Sequence, residues 1–298
     1  MDPDAHEHGR IRPRRLLHLN ADEISQTVRL ALAEDIGRGD LTAALTPSGA
    51  HSTAVVVLKQ DAVICGIEWF EESFRQLDQA VSFEWSCGDG DELSAEFEVC
   101  RIEGETRAIL TGERTALNFL QTLSATATSA RRFVAAIEGT GATLLDTRKT
   151  LPGLRSAQKY AVRCGGASNH RIGLFDAILI KENHIVAIGS IDAAIENARA
   201  AGGSVLVEIE VETMDQLRRA LDSRADRLML DEFPLDRIRE AVELRNETAP
   251  DMKLEASGQV ILENVRQIAL TGVDFISVGA MTKNVEAIDY SLRVVDDF

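Results

Sequence analysis

The chain is expected to be an α/β protein: an N-terminal α+β unit followed by an α/β barrel that is incomplete. Two observations predict this. The first third alternates β-branched and aromatic runs with tight-turn residues, as antiparallel strands do. After Ile137 the rhythm changes, and six short apolar runs alternate with helix-length segments, the pattern of parallel strands with right-handed crossovers. A third observation concerns chemistry: each of those six runs ends on polar or small residues.

In chain order, residues 1–20 combine His6, His8, four arginines and two prolines without an apolar core. This reads as a frayed tail rather than a signal peptide, with a regulatory arm as the less favoured alternative. Asp22 to Glu34 places Ile24, Val28, Leu30 and Ala31 at helical spacing behind an acidic first turn. Thr53 to Gly66, Ser82 to Cys87 and Glu96 to Ile102 read as strands, with a helix from Glu68 to Leu77 between them. Gly112 to Ile137 is one long helix or two consecutive ones. The six strands then fall at Thr143–Leu145, Ala177–Ile180, Val205–Ile209, Arg227–Leu230, Lys253–Ala256 and Phe275–Val278. Glu286 to Val295 is expected to be a closing helix. The organisation expected is a tail at 1–20, an N-terminal unit at 21–125 joined by a C-terminal helix at 286–298, and a barrel at 126–285.

The 298 residues carry 32 Lys and Arg against 48 Asp and Glu, a formal charge of -16. Residues 146–184 reverse that sign, with Arg148, Lys149, Arg155, Lys159, Arg163, His170, Arg171, Lys181 and His184 against Asp146, Asp176 and Glu182. A cationic pocket in an anionic chain suits a small, multiply charged anion. It does not suit nucleic acid, which the overall field repels. No apolar stretch has the length of a membrane span. Cys65, Cys87, Cys100 and Cys164 show neither CxxC pairing nor metal-ligand spacing, and read as reduced thiols of a cytoplasmic protein. Only 6 of the basic residues are lysine, so Lys149 and Lys181 stand out inside the cationic run. The arginine excess fits a GC-rich genome or a salty habitat equally well.

The strand ends supply the candidate site. Leu145 leads to Asp146, Thr147, Arg148 and Lys149; Ile180 leads to Lys181; Val207 to Glu208 and Glu210; Leu230 to Asp231; Ala256 to Ser257 and Gly258; Val278 to Gly279 and Ala280. Parallel barrels gather the carboxyl ends of their strands on one face, where chemistry is placed. Singly, each of these residues has an ordinary explanation, a solvated loop or a tight turn, and His170 alone is more often structural. Together they describe one pocket. Arg148, Lys149, Arg171 and Lys181 suit carboxylates and phosphates. Glu210 and Asp231 are hard oxygen ligands for Mg²⁺. Glu208 and Glu210 share a strand face, so both point inward or one supports a neighbour. P-loop, HExxH, GxGxxG and GxSxG patterns are all missing, which removes the commonest nucleotide, protease, dinucleotide and hydrolase readings.

Leu145-Asp146-Thr147-Arg148-Lys149-Thr150-Leu151-Pro152-Gly153-Leu154-Arg155, Lys159-Tyr160-Ala161-Val162, Asn169-His170-Arg171, Ile180-Lys181-Glu182-Asn183-His184, Val207-Glu208-Ile209-Glu210-Val211, Glu255-Ala256-Ser257-Gly258 and Ser277-Val278-Gly279-Ala280 closely resemble the signature of the quinolinate phosphoribosyltransferase family. The likeness covers everything after the tail. It implies a seven-stranded, TIM-like α/β barrel, an N-terminal α/β domain against which the C-terminal helix packs, and a pentosyltransferase that needs Mg²⁺. The implied reaction joins quinolinate to 5-phosphoribosyl 1-diphosphate and releases diphosphate and CO₂, giving nicotinate mononucleotide.

The same resemblance assigns roles. Arg148, His170 and Arg171, with Thr147, Arg114 and Lys181, would grip the quinolinate carboxylates. Lys149 and Lys181 would lie by the diphosphate and the reacting centre, and Glu210 and Asp231 would hold the ribose hydroxyls and Mg²⁺. Ser257, Gly258, Gln259 and the peptides of Val278, Gly279 and Ala280 would take the 5-phosphate. Arg114, on a helix outside the barrel, would enter the neighbouring subunit's site, so a homodimer is implied. Gln259 and Lys283 depart from the more usual residues. Three competing readings remain: a paralogue of the molybdenum-operon type acting on a different acid, a Schiff-base lyase using Lys149 or Lys181, and a non-enzymatic scaffold.

Overall fold

A computed structural model describes residues 20–295; the expected tail thus lies outside the described residues, apart from Asn20. Asn20 caps the first helix, α1 (Ala21–Ile36), by accepting from the Asp22 amide at 3.0 Å. Ile24, Val28 and Leu32, four apart, form its buried stripe. A three-residue 3₁₀ turn (Ala43–Leu45) leads to β1 (His51–Leu58) and β2 (Ala62–Val63). The single strand expected over 53–66 is therefore broken at Lys59 to Asp61. α2 (Ile67–Arg75) buries Trp69, Phe70 and Phe74 and is followed by β3 (Ser82–Trp85), the short β4 (Glu92–Leu93) and β5 (Glu98–Glu105).

α3 (Thr106–Ala136) is one continuous helix of 31 residues and starts before Gly112. Its buried face belongs to more than one core. Ile109, Leu117 and Leu120 pack with the first sheet, while Ala130 and Phe133 join the core of the parallel sheet. The two halves of the molecule therefore share a helix instead of a linker.

The second half runs β6 (Thr143–Leu145), α4 (Arg155–Cys164), β7 (Ala177–Ile180), α5 (Glu182–Ile188), α6 (Ile191–Gly202), β8 (Leu206–Val211), α7 (Met214–Leu221), β9 (Arg227–Asp231), α8 (Leu235–Thr248), β10 (Lys253–Ser257), α9 (Leu262–Ala269), β11 (Phe275–Ser277) and α10 (Ala280–Lys283). All six strands expected from the apolar runs form, and they make one parallel sheet in the order β6-β11-β10-β9-β8-β7. Among the described residues this sheet pairs six strands, and the seventh that the resemblance implied is not seen there. Beyond β6 the chain makes a single parallel bridge, Leu145 with Ser168, because Gly165, Gly166 and the loop after them are too irregular to extend a ladder.

Strand periodicity sorts the side chains onto two faces. Val207, Ile209, Leu228, Leu230, Leu254, Ala256 and Ile276 are buried with Ala194, Leu217, Ile238 and Val265 of the covering helices. Burying each large aliphatic side chain stabilises by about 1.5–3 kcal/mol, so Leu228→Ala would open a cavity between sheet and helices. The alternate positions, Glu208, Glu210, Arg227, Asp231, Glu255 and Ser257, turn to the opposite, inner face.

The closing helix expected at 286–298 is corrected. Residues Tyr290–Val295 form a strand, β12, antiparallel to β1 from Thr53↔Val295 to Leu58↔Tyr290; residues 296–298 lie outside the described residues. Ile288, Tyr290 and Leu292 are buried while Arg293 is exposed. This period-two pattern pairs the otherwise open edge of β1 and completes the order β12-β1-β5-β3. A helical reading of so short a stretch misses the backbone partners that only the distant strand supplies.

Candidate active site

The strand ends form one rim. In register, Leu145 faces Ser277 across β6 and β11, Asp231 faces Ser257 across β9 and β10, and Val211 faces Leu230 across β8 and β9. β8, β9 and β10 run one or two residues past the apolar runs, so Glu210, Asp231 and Ser257 lie within strands and their side-chain directions are fixed by the pleat.

At one side of this mouth Lys181, the N-cap residue of α5, reaches Glu210 with Nζ 2.5 Å from Oε2. Its own amide donates to His184 Nδ1 at 3.0 Å, which anchors the first turn of α5. Carboxylate oxygens of Glu210, Glu212 and Asp231 lie within 4.8 Å of one another. Desolvation, and then the charge of Glu182, Asp231 and Glu210, pushes Glu212 above the ordinary carboxylate range. Three hard oxygen donors gathered in this way fit a divalent cation.

At the other side, Thr147 Oγ1 accepts from the Lys149 amide at 3.1 Å. The Lys149 stem crosses Gly279, where a Cβ would stand 3.2 Å from Lys149 Cδ and 3.4 Å from Thr147 Oγ1. The absent side chain is what lets β6 and the start of α10 approach. Thr282 Oγ1, from α10, donates to the Lys149 carbonyl at 2.7 Å. The amide of Val278 donates to Leu145 O at 2.8 Å. Gly258 has φ +138, a region that favours glycine, and the Glu232 carboxylate lies over it, 3.1 Å from where a Cβ would be. Gln259 is exposed and its carbonyl accepts from Asn264 Nδ2 at 2.9 Å, while Lys283 is exposed at the end of α10.

Between these sides stand Arg148 and Arg171. Arg148 Nε is buried with no hydrogen-bond partner among the described residues. Arg171 Nη1 donates to the Ala177 carbonyl at 3.3 Å, and burial, followed by the like charge of Arg148, lowers its affinity for its proton. Two neighbouring guanidiniums, one with an unsatisfied donor, are a receptor for carboxylate.

The loop carrying them hangs on a buried ion pair. Lys159 and Asp146 are both wholly buried and in direct contact. Asp146 also accepts from Asn169 Nδ2 at 2.6 Å and from the His170 amide at 2.9 Å, and Lys159 Nζ donates to the His170 carbonyl at 3.0 Å. Burial raises Asp146 and lowers Lys159 relative to their ordinary values, outweighing their mutual attraction.

The His170 ring is turned toward the inner face of the sheet. Its Nδ1 accepts from the Arg171 amide at 2.7 Å, and its Nε2 points inward, 2.9 Å from Glu208 and 3.6 Å from Glu255. Neither nitrogen faces the mouth. Arg114 stands exposed on α3, and its side chain makes no ion pair or hydrogen bond with any described residue.

A model of the quinolinate phosphoribosyl transferase C-terminal domain matches residues 126–293, and the model of the N-terminal domain matches residues 40–124. The chain belongs to the quinolinate phosphoribosyltransferase family. It is 40% identical to the probable nicotinate-nucleotide pyrophosphorylase (carboxylating) of Bacillus subtilis, over 93% of this chain and 95% of that one. It is 39% identical to the nicotinate-nucleotide pyrophosphorylase (carboxylating) of Mycobacterium leprae, over 91% and 97%. The solved nicotinate-nucleotide pyrophosphorylase of Francisella tularensis superposes with a TM-score of 0.89 at 44% identity, covering 93% of this chain and 98% of that one.

Against this family's frame, the structure brings Thr147, Arg148, Lys149, Arg171, Lys181, Glu210, Asp231, Ser257, Gly258 and Gly279 to one rim, and leaves Arg114 apart. The sequence reading passed over Glu212, Arg227 and Glu255. A period-two signal was available for each: Glu212, one residue past the end of β8, keeps step with Glu208 and Glu210, and Arg227 and Glu255 occupy inner-face positions of β9 and β10. No helix among the described residues is long and apolar enough to cross a membrane.

Proposed function

We propose that this chain transfers the phosphoribosyl group of 5-phosphoribosyl 1-diphosphate to quinolinate, with decarboxylation, forming nicotinate mononucleotide, diphosphate and CO₂. One observation carries the reading. A single rim holds the Arg148–Arg171 pair, a match for adjacent carboxylates, beside the Lys181–Glu210–Asp231 group, a match for a sugar diphosphate. The family's named relatives act in the same sense.

Arg148 and Arg171 bind the pyridine carboxylates by charge-assisted hydrogen bonds, and Thr147 orients the loop between them and Lys149. Glu210 and Asp231, joined by Glu212, would hold Mg²⁺ and the ribose hydroxyls. When bound, the ion neutralises charge on the diphosphate oxygens. Lys149 and Lys181 stabilise the departing diphosphate by electrostatics that are already in place. Attack of the pyridine nitrogen on the ribose carbon expels diphosphate and leaves the ring cationic. The carbon beside the cationic nitrogen then keeps the electron pair of the C–CO₂ bond as CO₂ leaves, and it takes up a proton from water to give the product. Ser257, Gly258 and the amides of Gly279 and Ala280 cradle the 5-phosphate, with Gln259 at their margin; Val278, its own amide given to Leu145 O, holds that turn in place.

A homodimer completes the site on this reading. Arg114 is unpartnered, and the segment that α3 fastens nearby, through Arg107 to Thr46 and Thr111 to Asp40, exposes Leu41 and Leu45. An exposed apolar surface beside an unused arginine suits a second subunit. The four cysteines are free, as a cytoplasmic setting keeps them.

The test is to incubate the protein with quinolinate, 5-phosphoribosyl 1-diphosphate and Mg²⁺ and to measure nicotinate mononucleotide, with nicotinate as the control acid. Product from nicotinate but not from quinolinate would overturn the assignment.

A further inference from the structure

Behind the mouth, the inner face of the sheet is ionic where a barrel interior is ordinarily apolar. Glu208, Arg227 and Glu255 come from three adjacent strands, β8, β9 and β10, and both glutamates are wholly buried. Arg227 Nη1 is 2.7 Å from Glu255 and 4.0 Å from Glu208, and its guanidinium lies 4.1 Å from the centre of the Phe275 ring. The two carboxylates outnumber the one arginine. Such a group is costly to bury, and well-packed apolar side chains would serve folding as well or better. A role beyond packing accounts for its presence.

From outside the sheet the ring of His170 reaches the group, and the charge of Arg171 is felt at Glu208. The ring's Nδ1 accepts from the Arg171 amide, so the proton of the neutral ring sits on Nε2. That nitrogen approaches Glu208 Oε2 to 2.9 Å without the alignment of a finished hydrogen bond, and a Glu255 oxygen lies within 4.8 Å of both. A small turn of the ring completes the bond. The backbone on either side is already pinned, His170 N to Asp146 and His170 O to Lys159. The ring is thus the remaining adjustable link between the barrel interior and the Arg171 amide.

We propose that Glu208, seated by Arg227 and Glu255, is a positioning residue: it holds the His170 ring with Nδ1 turned to the Arg171 amide and so aims the Arg171 guanidinium at the acidic substrate. The part that concerns the substrate rests on the proposed function; the part that concerns the ring does not.

Nitrogen NMR of the wild-type histidines tests the ring directly, with His170→Gln identifying its signals. The expected result is the tautomer protonated at Nε2. A ring protonated at Nδ1 overturns the proposal. Kinetics tests the aim: Glu208→Ala should raise the KM for quinolinate about tenfold or more, as a displaced binding group does, with the KM for 5-phosphoribosyl 1-diphosphate unchanged. Glu208→Gln retains an acceptor for Nε2 and should restore most of the loss. Equal losses on both KM values, or no rescue by glutamine, would show a merely structural role. If the alanine variant does not fold, the glutamine variant and the wild-type spectrum still decide. A wild type that makes no nicotinate mononucleotide sinks the proposed function, while the histidine spectra of wild type and Glu208→Ala, which should differ at His170, continue to test the link between Glu208 and the ring.

Discussion

Lys181 Nζ and Glu210 Oε2 are 2.5 Å apart, joining the start of α5 to the end of β8 across the mouth of the sheet. The lysine side chain is 48% exposed, and the glutamate only 10%. An exposed partner contributes little to stability, so the pair is placed for chemistry. Lys181→Ala should lower kcat by about a hundredfold or more while the thermal midpoint moves little. Steady-state rates together with calorimetry check both halves of this expectation, and a large fall in the midpoint would contradict it.

If Arg114 completes the site of a second subunit, mixing variants should rescue activity. Arg114→Ala and Lys181→Ala are each expected to be inactive. After co-refolding, a hybrid dimer has one site with both residues intact, and part of the wild-type rate should return. Mixtures that stay inactive although subunits exchange would rule out a shared site.

The Asp146–Lys159 pair makes a prediction about stability. Lys159→Met leaves a buried carboxylate without its counter-charge, at a cost of about 3–5 kcal/mol. Urea unfolding should show that fall. Adding Asp146→Asn to the same chain should recover part of it, since the buried charge is gone and the His170 amide keeps a neutral acceptor oxygen. A double variant less stable than the single one would show that the ion pair is not the source of the cost.

Glu255 ties stability to pH. Burial, and then the charge of Glu208, raises it from the usual 4.5 to about 7. A carboxyl raised in the folded state favours folding while it keeps its proton, so its contribution is full below pH 4.5 and is lost as pH rises through about 7. Over that window it makes stability fall by up to about 1.4 kcal/mol per pH unit. Glu255→Gln should remove this slope, read as the difference between wild-type and variant thermal midpoints at pH 5 and pH 8. Parallel curves would mean that Glu255 is ionised throughout.

Periodicity made most of this legible. All six parallel strands and the residues at their ends could be read because an apolar run followed by a charge is a local signal. The long helix α3 was legible in kind but not in extent, since continuing it through Thr106 to Leu110 depends on packing Ala108 and Ile109 into the core of the first sheet. β12 was not legible. Tyr290, Ser291, Leu292 and Arg293 alternate over too few residues to oppose a helical reading, and the edge of β1 that pairs them lies more than two hundred residues away in the chain. His170 was legible as part of a site but not in its direction, which is set by contacts with Glu208 on β8 and the Arg171 backbone.

The amino-acid order by itself determined which side chains sit at strand ends, the sign of charge around them and the family to which they belong. Those follow from local spacing, which the chain carries wherever it goes. Only the tertiary structure decided that the inner face of the sheet holds an ion cluster, that His170 looks into it, and that the C-terminus closes the first sheet as a strand. Each of those depends on partners brought together by the fold, where a buried charge or an unpaired edge has to find its complement in space.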